Sequence, residues 1–272
     1  MIIDFHAHIF PEKIASAALQ KLSSVIHLEP SHNGTAEGLL ASMDKAGVDV
    51  SVILPVVTDV RQYDSVFRFA VKINEDSGYF GGSRKKTRLI SLAGLHPDDP
   101  QMKEHIRQIA EAGFCGIKVH PHYQSVPFND IRFKRMIDLA SEQELLVLTH
   151  SGYDPYTPEN FCSVDMIAEV LDEVKPAKLV LAHMGNCEHY DEVEAKICGR
   201  NVFFDTGYSI THMTKDQFSG IVKKHGSDRI LFGTDAPWTT QKECVECLKE
   251  QKLTYYERQL IFSGNARKLL GL

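Results

Sequence analysis

Two histidines near the start of the chain have the spacing of neighbouring ligands on one face of a strand. His6 and His8 stand two residues apart in an apolar run, and side chains two apart in a strand point to the same side. Imidazole binds zinc and other divalent ions well, and a carboxylate oxygen can complete such a set. A lone histidine is more often an ordinary packed residue, but the shared facing, with Asp4 beside the pair, predicts a metal site.

Three further apolar runs end on residues of the same chemical type. They close on His150, His183 and Asp235. Each histidine taken alone could be a turn residue, because a glycine follows within two positions, and Asp235 could cap the next helix. Together with His6 and His8 they form a candidate ligand and acid–base set, in which an open metal position would activate water.

Lys118 and His120 form another pair on one face of an apolar run. A buried lysine needs an ion partner or a shifted pKa. Three roles for Lys118 stay open: a clamp for a substrate carboxylate, a structural ion pair, or a carboxylated bridge between two metal ions.

Other residues follow predicted strands and are candidates for the wall of a substrate pocket, although each has an ordinary alternative as a loop or packing residue. These are His96, His122, Tyr153, Asn186, Tyr208 and Trp238. Four more histidines are expected at the surface: His27, His32, His105 and His225.

The elements that must position these groups alternate between apolar runs and amphipathic segments. Predicted strands cover residues 2–8, 50–57, 89–95, 116–120, 145–150, 179–183, 202–205 and 230–235. Predicted helices cover residues 37–46, 62–75, 101–112, 131–142, 164–174, 191–197, 215–224 and 241–250, with terminal helices in 255–270. Eight strand–helix units predict a (β/α)₈ TIM barrel formed by residues 1–272 as one domain.

An open, doubly wound sheet is the alternative architecture. It is disfavoured because candidate ligands end the first and the last strand, and these strands meet only if the sheet closes. Active sites of such barrels lie at the carboxyl ends of the strands, which is where each candidate ligand stands.

Composition limits the classes of partner. The chain has 272 residues, of which 43% are hydrophobic. Its formal charge of −6 disfavours nucleic acid as the main partner. The basic stretch 84–88 is interpreted as a solvated loop. We expect neither a membrane span nor a secretion signal. The expected location is the cytoplasm. The six cysteines do not resemble a disulfide framework, and the lone Cys244–Cys247 pair is interpreted as incidental.

These motifs resemble the amidohydrolase superfamily, in particular its amidohydrolase-2 branch of metal-dependent TIM-barrel hydrolases and decarboxylases. The resemblance spans the chain and rests on Asp-Phe-His-Ala-His at 4–8, Gly-Ile-Lys-Val-His-Pro at 116–121, Leu-Thr-His at 148–150, Leu-Ala-His-Met-Gly at 181–185, Phe-Gly-Thr-Asp-Ala-Pro-Trp at 232–238, and Gly-Asn-Ala-Arg-Lys-Leu-Leu at 264–270.

The resemblance implies a role for each matching position. One divalent metal, most often zinc with manganese as the alternative, would be bound by four residues: His6, His8, His150 and Asp235. Asp235 and His183 would be the catalytic pair that handles the proton of a metal-bound water. In two-metal members a carboxylated lysine at the position of Lys118 bridges the ions and the histidine at the position of His183 becomes a ligand. His120 is a further candidate for a second metal or for substrate. We favour one metal.

The resemblance leaves more than one reaction open. Hydrolysis of a small amide, lactone or ester is the leading expectation. Non-oxidative decarboxylation of a small carboxylic acid, held by the metal and by Lys118 or a nearby arginine, is the alternative, and a non-catalytic zinc-binding barrel is a third. Related TatD-like nucleases usually carry a glutamate where this chain has Lys118, which disfavours nuclease activity. The expected partner is a small-molecule substrate, and a homodimer is compatible with the resemblance.

Overall fold

The strands of the protein are short, parallel and follow the predicted apolar runs. The computed structural model describes residues 1–75 and 87–272. Within these residues the strands are β1 Ile3–Ala7, β2 Val50–Ile53, β3 Arg88–Ser91, β4 Ala93–Gly94, β5 Gly116–Val119, β6 Leu146–Thr149, β7 Leu179–Leu181, β8 Phe203–Asp205 and β9 Ile230–Leu231. They pair in parallel in the orders β1-β2-β3 and β4 to β9.

The two ladders join into one closed barrel. β3 and β4 are halves of the predicted third strand, interrupted at Leu92, whose amide still donates to the Ile53 carbonyl oxygen of β2 at 3.0 Å. The first strand also adjoins the last, and we call this junction the seam of the barrel. Here the Phe5 amide donates to the Phe232 carbonyl at 2.7 Å, and the Asp235 amide donates to the His6 carbonyl at 2.8 Å. The first and last strands therefore meet, which confirms the predicted TIM barrel over the open sheet.

The helices follow the strands as predicted, with two additions. They are α1 Glu12–Ile26, α2 Ala36–Ala46, α3 Tyr63–Glu75, α4 Met102–Glu111, α5 Pro121–Gln124, α6 Ile131–Glu142, α7 Val164–Glu173, α8 Tyr190–Lys196, α9 Lys215–His225, α10 Gln241–Lys249, α11 Tyr255–Gln259 and α12 Asn265–Leu270. A π-helical turn, Leu260–Gly264, joins the last two. The eight predicted helices agree with the observed bounds within two residues, but α1 and the single-turn α5 were not predicted.

Strand residues alternate between two apolar clusters. Val147 and Leu179 belong to the larger cluster, which also contains buried residues of the surrounding helices. Leu148 and Val180 belong to a second cluster on the opposite face of the strands, inside the barrel. On β5 the same alternation turns Lys118 away from the helices. The pleat of the strands thus decides which side chains reach the barrel interior.

The four histidines that were predicted to lie at the surface differ in their exposure. His27 is exposed, whereas His32 and His105 are half-buried. The prediction for His225 was wrong: it is 1% exposed, its ring stacks on Phe204, and its Nε2 donates to the Val202 carbonyl at 2.9 Å. Helix α9 thereby uses the histidine as a core residue with a satisfied polar edge.

The remaining surface expectations concern cysteines, charge and membranes. All six cysteines are free. Most of the basic stretch 84–88 lies outside the described residues. No helix in ranges 1–75 and 87–272 is both long and apolar enough to span a bilayer.

Candidate metal centre

Three donor atoms converge at the seam between the first and last strands. His6 lies in β1, His8 directly follows β1, and Asp235 follows β9 in a left-handed conformation with φ of 66°. His6 Nε2 and His8 Nε2 are 3.2 Å apart, and Asp235 Oδ1 lies 3.2 Å from the first and 3.1 Å from the second. Ligands about 2.1 Å from a tetrahedral ion lie about 3.4 Å from one another, so these spacings suit one cation.

The hydrogen bonds behind the two imidazoles aim their lone pairs at the same point. His6 Nδ1 donates to Asp205 Oδ2 at 2.9 Å, and His8 Nδ1 donates to the Leu54 carbonyl at 3.1 Å. In the neutral rings both Nε2 atoms are then acceptors facing the Asp235 carboxylate. Such orienting bonds accompany most metal-bound histidines. The donor set therefore fits a divalent ion.

The raised pKa of His6 also indicates that the centre favours a positive charge. Burial lowers the pKa of this histidine, but the carboxylates of Asp205 and Asp235 outweigh burial and raise it to about 9. In the absence of a metal, a proton on His6 satisfies the centre. A bound divalent cation would take the place of that proton.

His183 and His150 extend the centre as a hydrogen-bonded pair. His183 Nδ1 donates to the Gly207 carbonyl at 2.9 Å, so its Nε2 accepts a bond of 3.0 Å from His150 Nδ1. His183 also belongs, with His6 and Asp235, to a group whose donor atoms all lie within 4.8 Å of one another. The structure thus brings both predicted histidines to the centre and places His183 in the group nearest to His6.

A second polar group adjoins the first through His150. Donor atoms of His120, His150 and Asp154 lie within 4.8 Å of one another, and Asp154 Oδ2 is 3.6 Å from His120 Nε2. His150 Nε2 is buried and has no hydrogen-bond partner among the described residues. Burial raises the pKa of Asp154 to about 6 and holds the pKa of His150 well below its usual value. This floor of the cavity can accept hydrogen bonds from a bound molecule.

Lys118 contributes a buried cation to the same cavity. It is 1% exposed on β5, and burial lowers its pKa to about 8 against the opposing effect of Asp205 and Asp235. No salt bridge of Lys118 occurs within the described part of the chain. A structural ion pair, one of its three predicted roles, therefore gains no support from the structure.

Two aspartates position the centre. Asp205 was not predicted as a site residue, and Asp4 was predicted only as a neighbour of the His6 and His8 pair. Asp205 accepts hydrogen bonds from His6 Nδ1 and from the His183 amide, so it orients both histidines. Its signal was available, because the run 202–205 ends on an acidic residue as the other runs end on ligands. Asp4 accepts from the Thr234 amide and hydroxyl and from Gln241 Nε2, at 2.9, 2.7 and 2.7 Å. It fixes the chain just before Asp235.

The donor groups form one end of a cavity of about 730 Å³. The predicted wall residues Tyr153, Tyr208 and Trp238 line it, as do Lys118 and His120.

Three predicted wall residues lie elsewhere. His96, His122 and Asn186 are absent from the residues that line this cavity. His96 Nδ1 accepts from the Asp98 amide, His122 Nε2 accepts from the Phe161 amide, and Asn186 Nδ2 donates to the Cys162 carbonyl. Each therefore uses its polar group to hold a loop.

The barrel and the donor set define a class: metal-binding TIM-barrel enzymes with a His-x-His pair on the first strand and an aspartate after the last. The amidohydrolase family model matches residues 3–272, and the chain belongs to this family, in its amidohydrolase-2 branch. No curated protein sequence matches the chain.

Solved structures with the same fold are similar to the chain over nearly its whole length. 2,6-Dihydroxybenzoate decarboxylase from Rhizobium has a TM-score of 0.71 and 16% identity, covering 99% of this chain and 98% of that one. A 5-carboxyvanillate decarboxylase from Novosphingobium aromaticivorans, solved with manganese, has a TM-score of 0.74 and 14% identity, covering 100% and 96%. An uncharacterized TIM-barrel protein from Bordetella bronchiseptica has a TM-score of 0.74 and 15% identity, covering 99% and 98%.

Proposed function

We propose that this amidohydrolase-family enzyme is a metal-dependent decarboxylase of an aromatic carboxylic acid. The observation that carries the proposal is Lys118, a buried ammonium group with no carboxylate salt-bridge partner among the described residues, in the cavity that holds His6, His8 and Asp235. A substrate carboxylate would supply the missing charge. The sequence alone favours hydrolysis, but Lys118 and the decarboxylases among the similar structures favour the alternative, decarboxylation.

The ion in this proposal is divalent and is held by His6, His8 and Asp235, with His150 or His183 as the further ligand. Zinc remains a prediction from the sequence; manganese is bound in the similar decarboxylase from Novosphingobium. When bound, such an ion supplies positive charge that fixes anionic substrate oxygens and withdraws electron density from the ring.

The reaction needs one proton at the carbon that carries the carboxylate. Lys118 holds the carboxylate while Asp235 Oδ2, the oxygen not engaged by the two histidines, takes up one proton from solvent and passes it to that carbon, which leaves Asp235 ionised again. The carbon–carboxylate bond then breaks, its electron pair returns to the ring, and carbon dioxide leaves. The His183 ring, fixed by its bonds to the Gly207 carbonyl and His150, forms the wall against which the reacting group lies beside Asp235.

Burial assists this step because a carboxylate loses its charge as it becomes carbon dioxide. Lys118 and His183 are 1% and 4% exposed, so few waters can solvate the anion. A poorly hydrated carboxylate is less stable relative to the neutral product than it is in water.

A direct screen tests the proposal. The manganese-loaded protein is incubated with hydroxy- and methoxy-substituted benzoates, and released carbon dioxide and the decarboxylated arene are both quantified. Stoichiometric formation of the two products supports the proposal. Turnover of amides, lactones or esters without carbon dioxide release would overturn it and return hydrolysis to first place.

A further inference from the structure

The cavity is much larger than a monocyclic acid requires. A cavity of about 150 Å³ accommodates benzene, whereas this one has a volume of about 730 Å³. The donor groups and Lys118 occupy one part of its wall. The remaining wall is formed largely by helices α1 and α3 and the segments next to them.

Helix α1 contributes a regular apolar stripe to that wall. Residues Ile14, Ala18, Leu22 and Ile26 all line the cavity and follow one another at intervals of four, so they lie on one face of the helix. A second stripe, with Ala15 and Leu19, is buried. Twelve residues of helix correspond to about 18 Å. The stripe with Ala15 and Leu19 therefore anchors the helix, and the cavity-lining stripe is an additional, extended apolar surface.

Helix α3 faces the same space with compatible chemistry. Val66 and Phe69 line the cavity, and the lining residues of α1 and α3 include no charged side chain. The charged lining residues come from other elements, and they are Lys118, Asp154, Glu188 and Asp235. The cavity is therefore continuous from a charged end to an apolar cleft, defined here by Ile14, Ala18, Leu22, Ile26, Val66 and Phe69.

Partial exposure shows that the apolar cleft opens outward. Ile14 is 52% exposed, and the other five cleft residues are half-buried. A contiguous apolar surface of this kind usually marks a binding site in a soluble protein. Because the cleft is continuous with the candidate metal centre, a single molecule can occupy both.

We propose that the substrate is an aromatic acid that bears an extended, uncharged alkyl tail, and that the apolar cleft binds this tail. This inference rests on the proposed decarboxylation for the identity of the head group. The carboxylate pairs with Lys118 at the charged end, and the tail leaves the ring on the opposite side, between α1 and α3. Each methylene that enters the cleft strengthens binding about fourfold.

The test is a series of 2-hydroxybenzoates with methyl, butyl, hexyl and octyl chains para to the carboxylate. The manganese-loaded protein should show kcat/KM rising about fourfold per added methylene. The matching decarboxylated alkylphenols, titrated by calorimetry, should bind with the same dependence on chain length. All measurements are made below the micelle concentration of each compound.

Two variants of neighbouring alanines separate the cleft from the rest of α1. Ala18→Phe places a ring in the cleft, and Ala17→Phe adds the same volume at an exposed position on another face. Ala18→Phe should reduce kcat/KM for the octyl compound to about the value for the methyl compound. Ala17→Phe, outside the cleft, should retain the dependence on chain length. Val66→Ser makes the cleft more polar without adding volume, so it should weaken the dependence on chain length. This variant keeps the test valid if Ala18→Phe does not fold.

The outcomes separate the tail from the reaction. Decarboxylation that is independent of chain length overturns the tail and leaves the proposed function intact. Chain-length-dependent phenol binding without decarboxylation overturns the proposed function and supports the cleft. Equal effects of Ala17→Phe and Ala18→Phe overturn the cleft, as does a dimeric mass by light scattering that Ala18→Phe, but not Ala17→Phe, converts to a monomeric one.

Discussion

In the proposed reaction Asp235 would combine two functions at one carboxylate. Oδ1 contacts His6 and His8, and the opposite oxygen is available for the substrate. The left-handed backbone at this position and the bond from its amide to the His6 carbonyl fix its direction. A small change in this side chain should therefore affect metal and reaction together.

Asp235→Asn should retain the fold and lose the metal. An amide either turns an N–H towards the two imidazole lone pairs or offers one neutral oxygen, so metal affinity and turnover should each fall on the order of 100-fold or more. Elemental analysis and assays of released carbon dioxide measure both. Asp216→Asn, at a side chain 92% exposed, is the control. Unchanged metal content in Asp235→Asn would contradict the ligand assignment.

Lys118→Met tests the carboxylate clamp against the carboxylated bridge. As a clamp, the lysine is dispensable for metal, so the variant should keep about one equivalent per chain while kcat/KM falls on the order of 100-fold. As a bridge, it would hold a second ion, and the wild-type protein would lose metal on substitution. Lys252→Met, at an exposed position, controls for the change of charge.

Sequence identified the donor residues better than the residues that orient them. His6, His8 and Asp235 stand out because ligand chemistry needs few residue types at strand spacing. Asp205 ends an apolar run as the ligands do, but its role was missed because its partners, His6 and His183, come from other strands. Whether His150 or His183 completes the ligand set also depends on ring orientation, which residue order does not determine.

At the scale of elements, the seam of the barrel depends on buried Asp4. This carboxylate accepts bonds from Thr234, the His6 amide and Gln241, and so ties β1 to the chain after β9 and to α10.

Asp4→Ala should destabilise the protein by about 3 kcal/mol, because several buried donors lose their acceptor. Urea denaturation monitored by circular dichroism gives the value, with exposed Asp216→Ala expected to change stability by less than about 0.5 kcal/mol. A loss of similar size in both variants would show that the network adds nothing to stability.

The end of α9 should make stability depend on pH. Burial lowers the pKa of His225 from 6.5 to about 4, so the folded protein binds fewer protons than the unfolded chain between these values. Stability from this residue is complete above pH 6.5 and decreases as pH falls towards 4, by up to about 3 kcal/mol. His225→Gln should remove this part of the slope in urea titrations at several pH values. An unchanged slope would contradict it.

The missed helix α1 shows the limit of reading elements from sequence. Pro11 precedes it and no side-chain cap marks its start. Its apolar residues fall on two stripes, which blurs the single-faced pattern expected of a helix. The interruption at Leu92 was also invisible, since an apolar run does not show where strand geometry lapses. The other helices had clearer signals, such as the capping boxes at Thr214 and Thr254.

At the scale of the whole molecule, the alternation of eight strands and helices was sufficient to predict the barrel. Candidate ligands on the first and last runs added the argument for closure. That residues 1–272 form one domain, and that the protein pairs as a homodimer, stay predictions.

Metal removal should loosen the entire barrel, because an ion held by the proposed ligands His6, His8 and Asp235 would join its first and last strands. A ligand at 100 times its Kd stabilises the native state by about 2.7 kcal/mol, which corresponds to a rise in Tm of roughly 5–10 °C for a domain of this size. Dialysis against a chelator should lower Tm by this amount and manganese should restore it, as measured by calorimetry. Asp235→Asn should show neither change; an equal response in that variant would place the ion elsewhere.

The seam has a consequence for synthesis on the ribosome. His8 and Asp235 are separated by 227 residues, and translation at about 5–20 residues per second takes roughly 10–45 s to cover that distance. During this time one edge of β1 has no partner, and unpaired strand edges are prone to aggregation. The nascent chain must therefore be protected until its last strand emerges, and an interrupted translation product cannot assemble the centre.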